Sequence, residues 1–190
     1  VILLSLISII IIFFFFTYQK DISKRFSSEI KNINKKPNPE KSKKEIINEL
    51  KNVSYENFDA KGNFYEIKSD ISESYKEKPY ESFMKKVTAK ITLIDGRIII
   101  ITSDFAIYNR ENNNTNFFDN VIVIESNNKI TSDKLDFIYT SDMIYLRENI
   151  IMTNEFGNIL SDMVDIDLNE GFAKIYMTDN KDQVKVDYKK

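Results

Sequence analysis

The sequence predicts an all-β domain built from repeated hairpins, and two periodicities predict it. A Ser-Asp pair recurs at Thr102-Ser103-Asp104, Thr131-Ser132-Asp133 and Leu160-Ser161-Asp162, with 29 residues from each serine to the next. A second landmark keeps the same interval, since Asp119-Asn120-Val121 returns 29 residues later as Glu148-Asn149-Ile150. A repeat of this length marks a supersecondary unit that cannot bury its apolar face alone and stacks on its own copies. The second periodicity is alternation: Leu135, Phe137 and Tyr139 alternate with polar neighbours, as do Val164, Ile166 and Leu168, which is the signature of half-buried strands. Asn112-Asn113-Asn114, Asn127-Asn128 and Asn169-Glu170-Gly171 lie between such runs and supply turns.

Taken in order, residues 1–16 carry only apolar side chains besides Ser5 and Ser8, and end in four phenylalanines before Tyr18. Residues 1–19 are therefore expected to form a single transmembrane anchor. Sixteen helical residues reach about 24 Å against a hydrocarbon core of about 30 Å, so a few residues of the span are expected to be missing. No small-x-small cleavage site follows, which favours an anchor over a signal peptide. Lys20, Lys24, Arg25, Lys31, Lys35 and Lys36 then oppose an exported domain under the positive-inside rule, but that rule compares two flanks and only one is seen.

Residues 20–52 read as a charged tether with a short helix over 42–50, where Ile46, Ile47 and Leu50 have helical spacing. The β-domain is expected over 53–178. It opens near Tyr55, passes Phe58, Gly62, Phe64 and Ile67, and reaches Ser69-Asp70, a weaker echo of the repeat. A longer loop is expected over 74–82, where Pro79 and several charges sit. A strand over 84–94 then leads into Asp95-Gly96, the strongest short hairpin signal in the chain. Phe172 to Met177 reads as the last full strand and the free edge, and residues 179–190 as a charged tail or further edge strand through Val184, Val186 and Tyr188.

Composition excludes much chemistry. The chain has no histidine and no cysteine, which removes Ser-His-Asp and Cys-His nucleophiles, zinc sites built on those ligands, and disulfides. A net charge of −2 supplies no field for nucleic acid. The aspartates Asp104, Asp133 and Asp162 form the only regular carboxylate array, but each site offers one Ser and one Asp, where a calcium loop clusters several oxygens. Their role is expected to be structural, through bonds to the local backbone. No catalytic residue, metal or cofactor is expected.

The apolar stripe of Phe105, Ile107, Val121, Val123, Leu135, Phe137, Ile144, Leu146, Ile150, Met152, Val164 and Ile166 either fills a core or lines a groove. Leu146→Arg would be felt inside in either case.

These residues resemble the lipopolysaccharide-export proteins of the LptC type. The resemblance runs from about Val53 to Met177, plus the anchor. It rests on a single N-terminal membrane segment, Phe58 through Ile67 around Gly62, the loop with Tyr75 and Pro79, Ser-Asp strands alternating with Asn-Val strands, and Gly157 ahead of the last strands. Where family members often show Gly-Asn-Val, this chain has Asp119-Asn120-Val121 and Glu148-Asn149-Ile150. The resemblance implies an open antiparallel β-jellyroll in the periplasm, on a single-pass inner-membrane protein without enzymatic activity. It further implies that the apolar stripe is a groove accepting lipopolysaccharide from the permeases of an inner-membrane ABC transporter and passing it to an LptA-like periplasmic bridge protein. By the same resemblance an N-terminal edge at Phe64 and Ile67 faces the transporter, a C-terminal edge at Phe172, Ile175 and Met177 faces the bridge, and Gly62 and Gly157 are structural. Two other readings stay open: a membrane-tethered β-scaffold with a filled interior, and a calcium-dependent or carbohydrate-active surface domain built on the aspartates.

Overall fold

A computed structural model describes residues 45–179 and 183–188; the expected anchor over 1–19 and most of the expected tether lie outside them. Ten strands form one antiparallel sheet: β1 (Ile46–Phe58), β2 (Phe64–Tyr75), β3 (Lys78–Thr92), β4 (Ile98–Asn109), β5 (Thr115–Glu125), β6 (Asn128–Ile138), β7 (Met143–Thr153), β8 (Gly157–Asp167), β9 (Phe172–Tyr176) and β10 (Lys185–Tyr188). Strands β1 to β8 pair in chain order, and β9 and β10 both pair with β8. Among the described residues no helix is long and apolar enough to cross a membrane.

Two expectations near the N-terminal edge are corrected. The expected helix over 42–50 gives way to β1, which runs unbroken from Ile46 and pairs with β2 as far as Ile46↔Tyr75. Ile46, Ile47 and Leu50 satisfy helical spacing, but a paired neighbour outweighs so short a local preference. The expected long loop over 74–82 is a tight turn at Lys76-Glu77, with Pro79 near the start of β3. A strand end tolerates the missing N–H of proline.

A seam crosses the sheet near the middle of the strands. Asn52, Lys86, Asp119, Asn120, Glu148 and Asn149 have positive φ there. Opposite them stand Asp70, Asp104, Asp133 and Asp162, and the register steps at Thr102/Phe105, Thr131/Lys134 and Arg147/Ile150. The two sequence landmarks are the two sides of this contact. Asn120 Nδ2 donates to Asp104 Oδ2 at 2.5 Å, and Asn149 Nδ2 donates to Asp133 Oδ2 at 2.5 Å. The bonds to local backbone expected of the Ser-Asp pairs are made by the serines, Ser103 Oγ donating to the Phe105 carbonyl at 2.8 Å and Ser132 Oγ to the Lys134 carbonyl at 3.1 Å. The aspartates reach across because the extra bulge residue on the neighbouring strand turns its side chain toward them.

The seam divides the sheet into an upper half, holding Tyr65, Ile101 and Val123, and a lower half, holding Met84, Phe117 and Leu135. The halves fold onto each other. Four strands of flat sheet would separate β2 from β6 by roughly 19 Å, yet the Tyr65 and Phe137 rings stack at 5.6 Å. Tyr55 on β1 likewise stacks on Tyr108 of β4 at 4.9 Å. The core lies between the halves, filled by buried residues such as Met84, Ile101, Leu135, Ile144 and Leu146.

On the outer face of the lower half, Phe83, Phe105 and Phe118 stack at 5.6 to 6.1 Å. Lys85 Nζ lies 5.8 Å from the Phe83 ring centroid and contacts Glu73 at 2.5 Å, and Tyr75 donates to Glu73 at 2.6 Å. The Lys85 contact, then the Tyr75 hydroxyl, hold the Glu73 carboxyl below its ordinary value of 4.5, outweighing burial. A depressed folded pKa gives stability that is present above the ordinary value and lost as pH falls through the folded one. Glu73→Gln is therefore expected to flatten the acid side of the stability curve between neutral pH and about pH 3. Urea unfolding across that range checks it, and an unchanged acid slope would refute it.

At the C-terminal edge, β8 is paired at one end by β10, with Tyr188↔Gly157, and at the other by β9. Gly157 is required by close approach: a Cβ there would stand 2.0 Å from the Asp187 carbonyl oxygen. Gly157→Ala is expected to detach β10 while leaving the rest of the sheet folded. Amide exchange should accelerate at Asn158 and Asp187, which face each other in the β8–β10 register, and stay slow at Ile101.

Candidate functional site

The interior has two regions. Around Tyr55, Tyr65, Tyr108, Phe137 and Tyr139 the space between the halves is filled, leaving a void of about 30 Å³. That is room for a single water. Toward the C-terminal strands lies a cavity of about 250 Å³, walled by Ile99, Val123 and Ile130 of the upper half and by Ile144, Ile166 and Leu168 of the lower half, with Met152 beside them. Arg97, Glu125, Asn128, Gly171 and Phe172 form its rim.

The stripe read from the sequence divides three ways. Val123, Ile144, Met152 and Ile166 line the cavity. Val121, Leu135, Leu146, Ile150 and Val164 are fully buried core, and Phe137 walls the small void. Phe105 and Ile107 are corrected: they face outward, and Ala106 and Tyr108 take the inner positions. Across the seam the inner positions of β4 change from Ile99, Ile101 and Ser103 to Ala106 and Tyr108, because Asp104 and Phe105 both face outward.

The edges are corrected as well. Phe64 and Ile67 lie on β2, paired on both sides by β1 and β3, so among the described residues the N-terminal edge is β1. Phe172 and Ile175 lie on β9, which pairs with β8 alone among the described residues, and Met177 follows its end. Gly62, with φ +94°, closes the β1–β2 turn through its N–H to the Asp59 carbonyl.

Sequence reasoning missed the mouth between the halves. Asp142, in the turn after β6, is 3% exposed and accepts from Tyr65 Oη at 2.6 Å and from Lys61 Nζ at 2.9 Å. Lys61 also donates to Asn169 Oδ1. Asp59 accepts from Tyr65 Oη at 3.0 Å and from Asn63 Nδ2 at 2.7 Å. Burial raises the Asp59 carboxyl, but the hydrogen bonds from Asn63, Tyr65 and Lys61 outweigh it and hold the group low. Burial and then the Asp142 carboxylate push the Tyr65 phenol well up, so it stays a neutral donor. Farther along, Arg97 donates to the Leu168 carbonyl at 2.9 Å. Partners 71 to 81 residues apart leave no local signal.

Among the described residues no three Asp, Glu, His or Cys side chains converge as a group that could hold a metal ion. The acidic side chains at the seam point to neighbouring amides and lysines instead, including Glu148, which accepts from Lys134 at 2.7 Å.

An open, all-antiparallel sheet folded on a seam around an apolar interior is consistent with a β-jellyroll. The family model described as "Lipopolysaccharide-assembly, LptC-related" matches residues 2–176, and the chain belongs to that family. Membership implies a role in lipopolysaccharide transport, in a family not known for enzymes and in general anchored in the inner membrane. A search of curated proteins finds no match.

Proposed function

We propose that this chain is a single-pass inner-membrane protein whose periplasmic jellyroll accepts lipopolysaccharide from the permeases of an ABC transporter and passes it to an LptA-like bridge protein. The observation that supports the reading is the apolar cavity between the half-sheets, beside the C-terminal edge. Shielding an acyl chain is worth about 0.8 kcal/mol per methylene, so a relay has to present apolar walls throughout transfer. Strand β1 is the edge proposed to face the transporter, and β9, with Phe172, Ile175 and Met177, the edge proposed to face the bridge. Main-chain pairing at an exposed strand provides such contacts.

The competing reading is a tethered scaffold with a filled interior. It is favoured by the tyrosine-walled region, where stacked rings leave almost no space. Photocrosslinking in membranes separates the two. A photoreactive residue at Met152 should capture lipopolysaccharide in an ATP-dependent manner, with a second probe at Phe137 reporting whether the filled region also opens. Folded, membrane-bound protein that captures lipid at neither site would rule out the relay.

A further inference from the structure

The cavity mouth is fastened at two places of unequal strength. At the β1–β2 turn the fastening is a buried clasp: Asp142 takes Tyr65 and Lys61 from the opposite half, and Lys61 adds Asn169. At the cavity itself one hydrogen bond among the described residues crosses, from Arg97 to the carbonyl of Leu168 at 2.9 Å, beside the clasp, since the Leu168 N–H donates to the Asp142 carbonyl at 3.0 Å. Arg97 is held on its own side by Asp95 at 2.7 Å and by Glu125 at 3.7 Å. Swinging off Leu168 leaves both ion pairs intact and exposes a carbonyl that water can satisfy. Opposite Arg97 stands Gly171, and its guanidinium nitrogens lie 3.8 Å from where a Cβ on that glycine would be, so the side chain lies flat across the second lip.

The closed cavity is also small for its proposed cargo. At about 250 Å³ it exceeds the roughly 150 Å³ that holds one benzene but falls below the roughly 300–1,000 Å³ of ordinary ligand sites. A lipid with several acyl chains requires the lips to part.

We infer that Arg97 is the releasable strap of the cavity mouth: the half-sheets part at the Arg97–Leu168 contact while the Asp142 clasp stays closed as the pivot. This rests on the lipid-relay reading and adds where the interior opens and which residue controls it.

The test uses the full chain in phospholipid nanodiscs, with lipopolysaccharide micelles as the probe. Arg97→Ala, read by photocrosslinking at Met152, should capture lipopolysaccharide at least about tenfold faster than the parent, the effect of removing one charged hydrogen bond. The absence of cysteine lets spin labels be placed cleanly. With Arg97 retained, labels at Asn128→Cys and Phe172→Cys should move apart when lipopolysaccharide is added, while labels at Ala60→Cys and Thr140→Cys, beside the clasp, keep their separation. The label pairs decide the matter if Arg97→Ala does not fold. Capture by the parent at a rate that Arg97→Ala leaves unchanged, or equal widening of both label pairs, would overturn the strap and leave the relay standing. Capture by neither form, with ATP-dependent capture at Met152 also absent in membranes that hold the transporter, would overturn the relay and the strap with it.

Discussion

Leu146→Arg is expected to yield no folded protein. Leu146 is 0% exposed and lies between Leu135 and Val164 on the neighbouring strands, both also completely buried. A guanidinium there finds no carboxylate and no water. The penalty for an unpaired buried charge exceeds the about 5–15 kcal/mol that holds a domain of this kind together. The expected result is insoluble expression or loss of the cooperative thermal transition, with Leu146→Ala as the graded companion, costing about 2–5 kcal/mol. A soluble Leu146→Arg protein melting near the parent temperature would contradict the packing described. It also follows that Leu146 reports on the core and not on lipid entry; Met152, on the cavity wall, is the position for that question.

Asp142→Ala carries the second large effect. Its carboxylate accepts from both Tyr65 and Lys61, and its backbone sits at φ +53°. Alanine removes the acceptor from a buried phenol and, with the same Cβ, loses the short polar side chain that helps aspartate tolerate left-handed backbone, a conformation costing about 1–2 kcal/mol. Together these are expected to destabilise the domain by about 2–4 kcal/mol in urea unfolding. Asp142→Asn tolerates the same backbone and still accepts from Tyr65, so it should recover more than half of the loss. Equal losses in the two variants would show that the acceptor does not matter.

What could be read in advance was what repeats. The 29-residue interval reports a structural unit, and the alternation around Leu135 and Val164 placed those residues inside correctly. The same interval also held the answer where alternation failed: Leu135 corresponds to Ala106 and Phe137 to Tyr108, so Phe105 corresponds to Lys134, an outward position. Periodicity within one strand cannot cross the seam, where two successive residues such as Asp104 and Phe105 both face outward, whereas the repeat carries the seam along with it. The N-terminal strand was missed for a different reason. Ile46, Ile47 and Leu50 fit two periods at once, and only pairing with the stretch up to Tyr75 decides between them. Contacts closing the mouth, such as Lys61 with Asp142 and Arg97 with Leu168, arise solely from folding the sheet on itself, and no window of sequence contains both members.

The two margins of the sheet are unlike. Along β1 the backbone offers one continuous 13-residue rail, while β8 is flanked by two short pieces, β9 with five residues and β10 with four. Joined through β1 of one module and the divided edge of the next, as the relay reading proposes, such modules would make a head-to-tail contact. A row joined that way has a direction. Whatever travels along it meets the same sequence of surfaces at each junction and cannot mistake the way forward for the way back.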